Sequence, residues 1–171
     1  MSTLSVWRFS TPHGADAAEY TLRELERHGH IKVEDAAVVS WEPDAKKPHT
    51  RRLGSTGKHN TLKGSFWGLV LGLIFFVPIL GVAVGATVGK LHSLRDAGID
   101  DDFVETVRRE VVPGTSAIFL KTSGADVPQV VQAFKGLEHD LISTNLSLEQ
   151  EQRLRRLLDD ADEASQDATG S

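Results

Sequence analysis

Residues 64–89 read GSFWGLVLGLIFFVPILGVAVGATVG, twenty-six residues without a charged side chain, held between Lys63 and Lys90. That length permits a helix to cross a bilayer. Pro78 falls near the middle, where proline costs ~3 kcal/mol in a helix unless something compensates, although membrane helices tolerate it better. Gly64, Gly68 and Gly72 form one series at four-residue spacing, and Gly81, Gly85 and Gly89 form a second. Each series lines one helical face with small residues, so that another helix can approach closely. The two series are mirror images: Gly64 matches Gly89, Gly68 matches Gly85, and Gly72 matches Gly81. An antiparallel hairpin turning at Phe76, Val77 and Pro78 opposes those glycines, whereas a straight helix has no use for the symmetry.

Basic residues flank the run on both sides, Lys58 and Lys63 before it and Lys90 and Arg95 after it. A single span is expected to show an asymmetry, because basic residues favour the cytoplasmic side. Equal flanks fit a hairpin with both ends on that side. Each thirteen-residue arm is ~20 Å long as a helix, short of the ~30 Å hydrocarbon core. The expectation is therefore a glycine-zipper hairpin that enters a membrane without crossing it. The same hairpin buried in the core of a soluble oligomer, and one bent span through Pro78, are the two other readings.

Two similar units flank this run. In the first, Leu4 to Phe9 alternates like a strand. Asp16 and Glu19 have capping-box spacing. Ala18, Leu22 and Leu25 share a helical face that Gly29 ends, and Ala36 to Trp41 is a second strand. In the second unit, Ser116 to Lys121 is a strand, and Asp126 and Gln129 repeat the capping-box spacing. Val127, Val130, Val131 and Phe134 then share a helical face, and Leu141 to Leu146 alternates. The tripeptide Gly14-Ala15-Asp16 recurs as Gly124-Ala125-Asp126 before the second helix, which indicates an internal duplication. Two such units predict an α+β fold, a ferredoxin-like four-stranded sheet with two helices on one face. Asp100 to Val111 reads as a further helix, with Asp100, Asp101 and Asp102 at its positive end and Pro113-Gly114 after it. Ser147 with Gln150 opens a C-terminal helix whose apolar stripe is Leu154, Leu157, Leu158 and Ala161. The expected divisions are 1–44, the first unit; 45–63, a basic loop; 64–94, the hairpin; 95–146, the short helix and second unit, sharing one sheet with 1–44; 147–163, the last helix; and 164–171, a disordered tail.

The net charge of −5 gives no reason to expect nucleic acid. The charge is uneven, however. Lys46, Lys47, Arg51, Arg52, Lys58 and Lys63 face one acid, Asp44, between Pro43 and Lys63, whereas seven acids outnumber three arginines from Ser147 onward. A basic stretch beside an apolar segment commonly touches anionic headgroups, and a solvated loop explains it equally well. Those basic residues, with Lys90 and with Trp67 near the start of the run, form the expected lipid-facing set; tryptophan suits a membrane interface. The chain has no cysteine, which excludes disulfides, thiolate metal sites and cysteine nucleophiles. Met1 to Ser10 lacks a charged segment followed by an apolar one and reads as a strand, so no secretory signal is expected.

Three runs carry a resemblance. They are Ala97-Gly98-Ile99-Asp100-Asp101-Asp102-Phe103, Val112-Pro113-Gly114-Thr115-Ser116-Ala117, and Ser143-Thr144-Asn145-Leu146-Ser147 followed by Glu149-Gln150-Glu151. With the glycine-rich apolar segment between β-α-β units, this resembles the bacterial and archaeal family of membrane-associated proteins catalogued as domain of unknown function 1269, over roughly Leu4 to Leu158. The resemblance implies membrane association, no assigned activity and no catalytic residues to carry over. The basic loop from Pro43 to Asn60 is longer than the resemblance leads one to expect.

No motif points to catalysis. Asp100, Asp101 and Asp102 have the chemistry to hold a hard cation, but capping of a helix N-terminus accounts for them. His28 and His30 flank a helix end without further ligands. Gly54-Ser55-Thr56-Gly57-Lys58 lacks phosphate-loop spacing, because His59 follows the lysine. Ser116 and Ser143 have no recognisable base. The sequence is thus read as a non-enzymatic, membrane-associated interaction or regulatory protein, with use under stress suggested by the resemblance. It is expected on the cytoplasmic face of the cell membrane, without a cofactor or metal, as a homo-oligomer with an unidentified protein partner. The alternative is a soluble homo-oligomer with the hairpin in its core and an α+β domain that binds a small ligand.

Overall fold

A computed structural model describes residues 3–53, 66–76, 98–137 and 139–169. The elements run β1 (Thr3–Phe9), α1 (Gly14–Arg27), β2 (Lys32–Ser40), β3 (His49–Arg52), α2 (Phe66–Leu71) with a π-helical continuation (Gly72–Phe76), α3 (Asp101–Glu110), β4 (Ser116–Ser123), α4 (Val127–Phe134), β5 (Asp140–Thr144) and α5 (Leu148–Thr169). The strands form one antiparallel sheet in the order β3-β2-β4-β1-β5. The fold is α+β, and both β-α-β units contribute to the same sheet.

Side-chain alternation divides the sheet into two apolar faces. Trp7, Phe9, Val38, Ile118 and Leu120 point to one side, where Ala18, Leu22 and Leu25 of α1, Val131 and Phe134 of α4 and Leu158 of α5 complete the core. Leu4, Val6, Ala37, Val39 and Phe119 point to the other, where they meet α2 and α3. Register enforces this arrangement: Val6 pairs with Phe119 and Ala37 with Phe119 in one row, and Trp7 and Val38 both pair with Ile118 in the next. A strand buried on both faces reads as a nearly continuous apolar run, which is why Ala36 to Val39 and Ser116 to Leu120 are buried at every position.

The local signals acted as the sequence predicts in most places. Gly29 ends α1 with φ +77°, a conformation that glycine adopts without a steric penalty. Asp100 caps α3 by accepting from Phe103 N at 2.8 Å. Asp126 caps α4 by accepting from Gln129 N. Ser147 and Gln150 form a reciprocal capping box, each side chain taking the other's backbone N–H.

Three expectations need correction. The Asp16–Glu19 capping box does not form: α1 starts at Gly14, and its N-cap residue, His13, makes no side-chain cap. Ser116 supplies the missing acceptor from across the sheet, its Oγ accepting from Ala15 N at 3.0 Å and donating to Thr11 O at 2.7 Å. Part of the expected basic loop is the edge strand β3, paired with β2 from Ala37–Arg52 to Ser40–His49. The last helix continues to Thr169 instead of ending at 163. The described part of the apolar run, 66–76, is a cover on the sheet, and no helix among the described residues is long and apolar enough to cross a membrane. Gly64, Val77, Pro78, Gly81, Gly85 and Gly89, with Lys58, Lys63 and Lys90, lie outside the described residues.

Candidate functional site

The feature that sets this chain apart is the seat of its apolar run, and Trp67 lies at its centre. The indole is fully buried. Its ring centroid is 5.3 Å from Phe119 of β4, 6.5 Å from Phe103 of α3 and 5.0 Å from Phe66. Trp67 is therefore a core residue and not an interfacial one. The physical reason is the second sheet face, whose apolar side chains need a cover that α1 and α4, both on the first face, cannot provide. Val70, Leu71, Ile74 and Phe75 are buried beside it. The ring of Phe75 meets Trp41 edge-on at 5.8 Å.

Polar contacts from the domain fix both ends of this segment. β2 carries an irregularity between Val33 and Asp35, and such a bulge re-aims a side chain. Asp35 Oδ2 accepts from Trp67 N at 3.1 Å, while Oδ1 accepts from Ala36 N at 2.9 Å. At the far end, Arg108 of α3 donates through Nε to Ile74 O at 3.0 Å and through Nη2 to Leu73 O at 3.2 Å. The last carbonyls of a helix have no partner within it, and a cation suits that negative end. Lys121 Nζ sits 5.2 Å above the Phe66 ring. Neither Asp35 nor Arg108 was singled out in the sequence. An acid among apolar strand residues, and an arginine on a helix after the apolar run, were the available signals.

The glycine positions divide. A Cβ added at Gly72 meets nothing within 4 Å among the described residues. Gly68 is half-buried within α2, and the glycines proposed to oppose these two lie outside the described residues. Phe76 closes the π-helical stretch.

The basic set divides too. Lys46 and Lys47 are exposed. Arg52 is exposed on the edge strand. Arg51 is turned inward and serves the domain: it donates to Glu19 Oε1 at 2.9 Å and to Asp16 Oδ1 at 3.1 Å. Its pKa is raised, first by the hydrogen bond to Glu19, against the opposing effect of burial, and further by the charges of Glu19 and Asp16. The acids expected to cap α1 are thus the partners that tie it to β3.

The three runs that carry the resemblance do structural work. Gly98 has φ +102°, and a Cβ there would lie 3.0 Å from the Cβ of Asn145. Asn145 closes β5 onto β1, its Oδ1 accepting from Leu4 N at 2.8 Å and its N donating to Leu4 O at 3.2 Å. Two of the three runs therefore meet in space. Gly114 N donates to Trp41 O at 2.7 Å, and Trp41 N donates to Thr115 O at 3.0 Å, which joins the remaining run, Val112 to Ala117, to the end of β2. His28 and His30 stack at 6.3 Å, and among the described residues no group of three or more metal-ligating side chains assembles.

Residues 61–159 match the model of a family described as Protein of unknown function (DUF1269). The match takes in the apolar run, α3, β4, α4, β5 and most of α5, and begins after the first β-α-β unit. No curated protein and no solved structure matches the chain.

Proposed function

We propose, from the premise that this chain belongs to the DUF1269 family of proteins of unknown function, that it is a non-enzymatic, membrane-associated interaction protein. In this reading the sheet domain holds the start of the apolar run, and the remainder of the run, Val77 to Gly89, engages the membrane from the cytoplasmic face. One observation carries it. The second sheet face is packed by residues 66–76 and α3, yet the sequence continues without a charge for thirteen residues beyond Phe76. That is more apolar chain than the described cover uses. The exposed Lys46 and Lys47 supply attraction for anionic headgroups. The strand order β2-β4-β1-β5, with α1 and α4 packed on one face, supports a ferredoxin-like duplicated β-α-β domain. The four-residue glycine spacing supports close helix packing in a homo-oligomer, and no residue is assigned a catalytic role.

Flotation of the full chain with vesicles tests the reading. The expected result is recovery with anionic vesicles at low salt and loss of that recovery in Leu80→Asp, with the domain still folded. A wild-type chain that stays unbound at low salt, or a Leu80→Asp chain that floats as well as wild type, overturns it.

A further inference from the structure

The first sheet face carries a feature that the membrane reading does not use. Between that face, α1, α4 and the start of α5 lies a partly enclosed cavity of about 120 Å³. Native interiors hold few voids larger than a water molecule, and an apolar cavity of roughly 150 Å³ is enough to bind benzene. The walls are Leu22, Ile31, Leu120 and Leu154, with Trp7 and Phe134 forming an aromatic side. Those two rings are stacked at 5.5 Å with 19° between their planes.

One part of the lining is polar by construction. Register places Thr3 opposite Thr122 and Ser5 opposite Thr144, so four hydroxyl-bearing residues from three adjacent strands lie side by side in the lining of an otherwise apolar cavity. Ser5 and Thr122 are buried. Ser5 Oγ accepts from Trp7 Nε1 at 3.0 Å, and Thr144 Oγ1 accepts from Leu146 N at 3.2 Å. Each of these oxygens accepts its bond from a nitrogen, so its own proton is left to donate. A hydroxyl buried beside apolar walls, as at Ser5 and Thr122, loses its water and gains from a ligand oxygen that replaces it. No ionisable side chain lines the cavity among the described residues. A charged ligand would surrender hydration there without a counter-ion.

We propose that this cavity is a binding site for a neutral single-ring aromatic molecule that carries one oxygen, a phenol or aryl alcohol. The ring lies against the Trp7–Phe134 side, and the oxygen meets the row of threonine and serine hydroxyls. The site is independent of the membrane reading, because it lies on the opposite face of the sheet from α2 and its test contains no lipid.

The test is fluorine NMR on the full chain with three probes, 4-fluorophenol, fluorobenzene and 4-fluorobenzoate, at neutral pH. The expected result is saturable binding of the phenol, binding of fluorobenzene about fivefold weaker for want of one hydrogen bond, and no binding of the benzoate. Val130→Phe fills the cavity and should abolish phenol binding. Thr122→Val keeps the shape, removes a hydroxyl and should weaken the phenol while sparing fluorobenzene. Circular dichroism establishes that each variant is folded, and Thr122→Val decides the matter if Val130→Phe does not fold. The proposal is overturned if the phenol shows no saturable binding, if the benzoate binds as well as the phenol, if a folded Val130→Phe binds like wild type, or if Thr122→Val leaves the phenol's preference over fluorobenzene unchanged.

Discussion

On one side of the sheet, α1 and α4 carry their own instructions: apolar residues at helical spacing, a glycine stop, an aspartate cap. On the other side α3 is signalled in the same way, by its Asp100 cap and by Phe103 and Val107, but the rest of the cover is α2, whose sequence carries no such pattern and is apolar on all sides. The two faces are equally dry. Phe134 on the first is 1% exposed and Trp67 on the second 0%. The difference is that an amphipathic helix encodes which of its faces is buried, whereas an uncharged run encodes only that it avoids water. Membrane, oligomer and the chain's own sheet all satisfy that requirement. In the described residues, the sheet is what meets α2.

The largest expected effect tests whether the two faces are truly equivalent. Phe134→Ala and Trp67→Ala should each lower unfolding free energy by ~3–5 kcal/mol, the range for truncating a buried aromatic, as measured by denaturant unfolding. Equal losses mean that α2 belongs to the folded core. A loss below about 1 kcal/mol for Trp67→Ala alone would show that α2 is a detachable cover. Trp67→Phe sharpens the comparison. Trp67 Nε1 is buried without a hydrogen-bond partner among the described residues, so removing that N–H relieves a desolvation cost that offsets part of the lost packing. Trp67→Phe should cost less than half as much as Trp67→Ala.

A smaller effect is expected from the two polar clamps at the ends of the segment, Asp35 and Arg108. Asp35→Ala removes the acceptor at the start of α2 and should cost ~1 kcal/mol, as the loss of a helix cap does. Arg108→Gln frees the Leu73 and Ile74 carbonyls and should cost a similar ~1 kcal/mol. Their positions at opposite ends of the segment make near-additive losses the expected outcome. Hydrogen exchange over residues 66–76 should accelerate in both variants while α1 and α4 keep their protection. Exchange that accelerates uniformly would mean that the segment does not open on its own.

What the sequence disclosed follows the same division. β1, α1, β2, β4, α4, β5 and the start of α5 were legible because their signals are local, such as the Ser147–Gln150 box or Gly29. The Asp16–Glu19 spacing misled because a capping box is only one use of two acids three residues apart. Here both face Arg51, thirty-two residues from Glu19 along the chain. β3 was hidden for the same reason: its four residues, His49-Thr50-Arg51-Arg52, carry no apolar alternation because an edge strand packs little. Trp67 had the right chemistry for an interface and the wrong location, since nothing local to residue 67 reports that a sheet face assembled from β1, β2 and β4 is open to it. The cavity on the other face was equally unreadable, because it arises from register between Thr3 and Thr122 and between Ser5 and Thr144.

The smallest effect, and the one that separates sheet cover from helix zipper, is at Gly72. Alanine there should raise stability by up to about 1 kcal/mol, because glycine inside a helical segment carries an entropic cost that alanine does not, and nothing described lies within 4 Å of the added carbon. Leucine is the discriminating change. If residues 66–76 serve the sheet alone, Gly72→Leu projects into open surroundings and leaves both the unfolding midpoint and the oligomeric state unchanged. If Gly72 also meets a second helix, as the mirror pairing with Gly81 proposes, leucine must push that helix away, since such packing depends on close backbone approach. The sheet core under Trp67 is untouched by either event, so the midpoint of the domain stays level while self-association, read by light scattering, falls. A drop in midpoint with association unchanged contradicts both readings and places Gly72 against residues of its own domain.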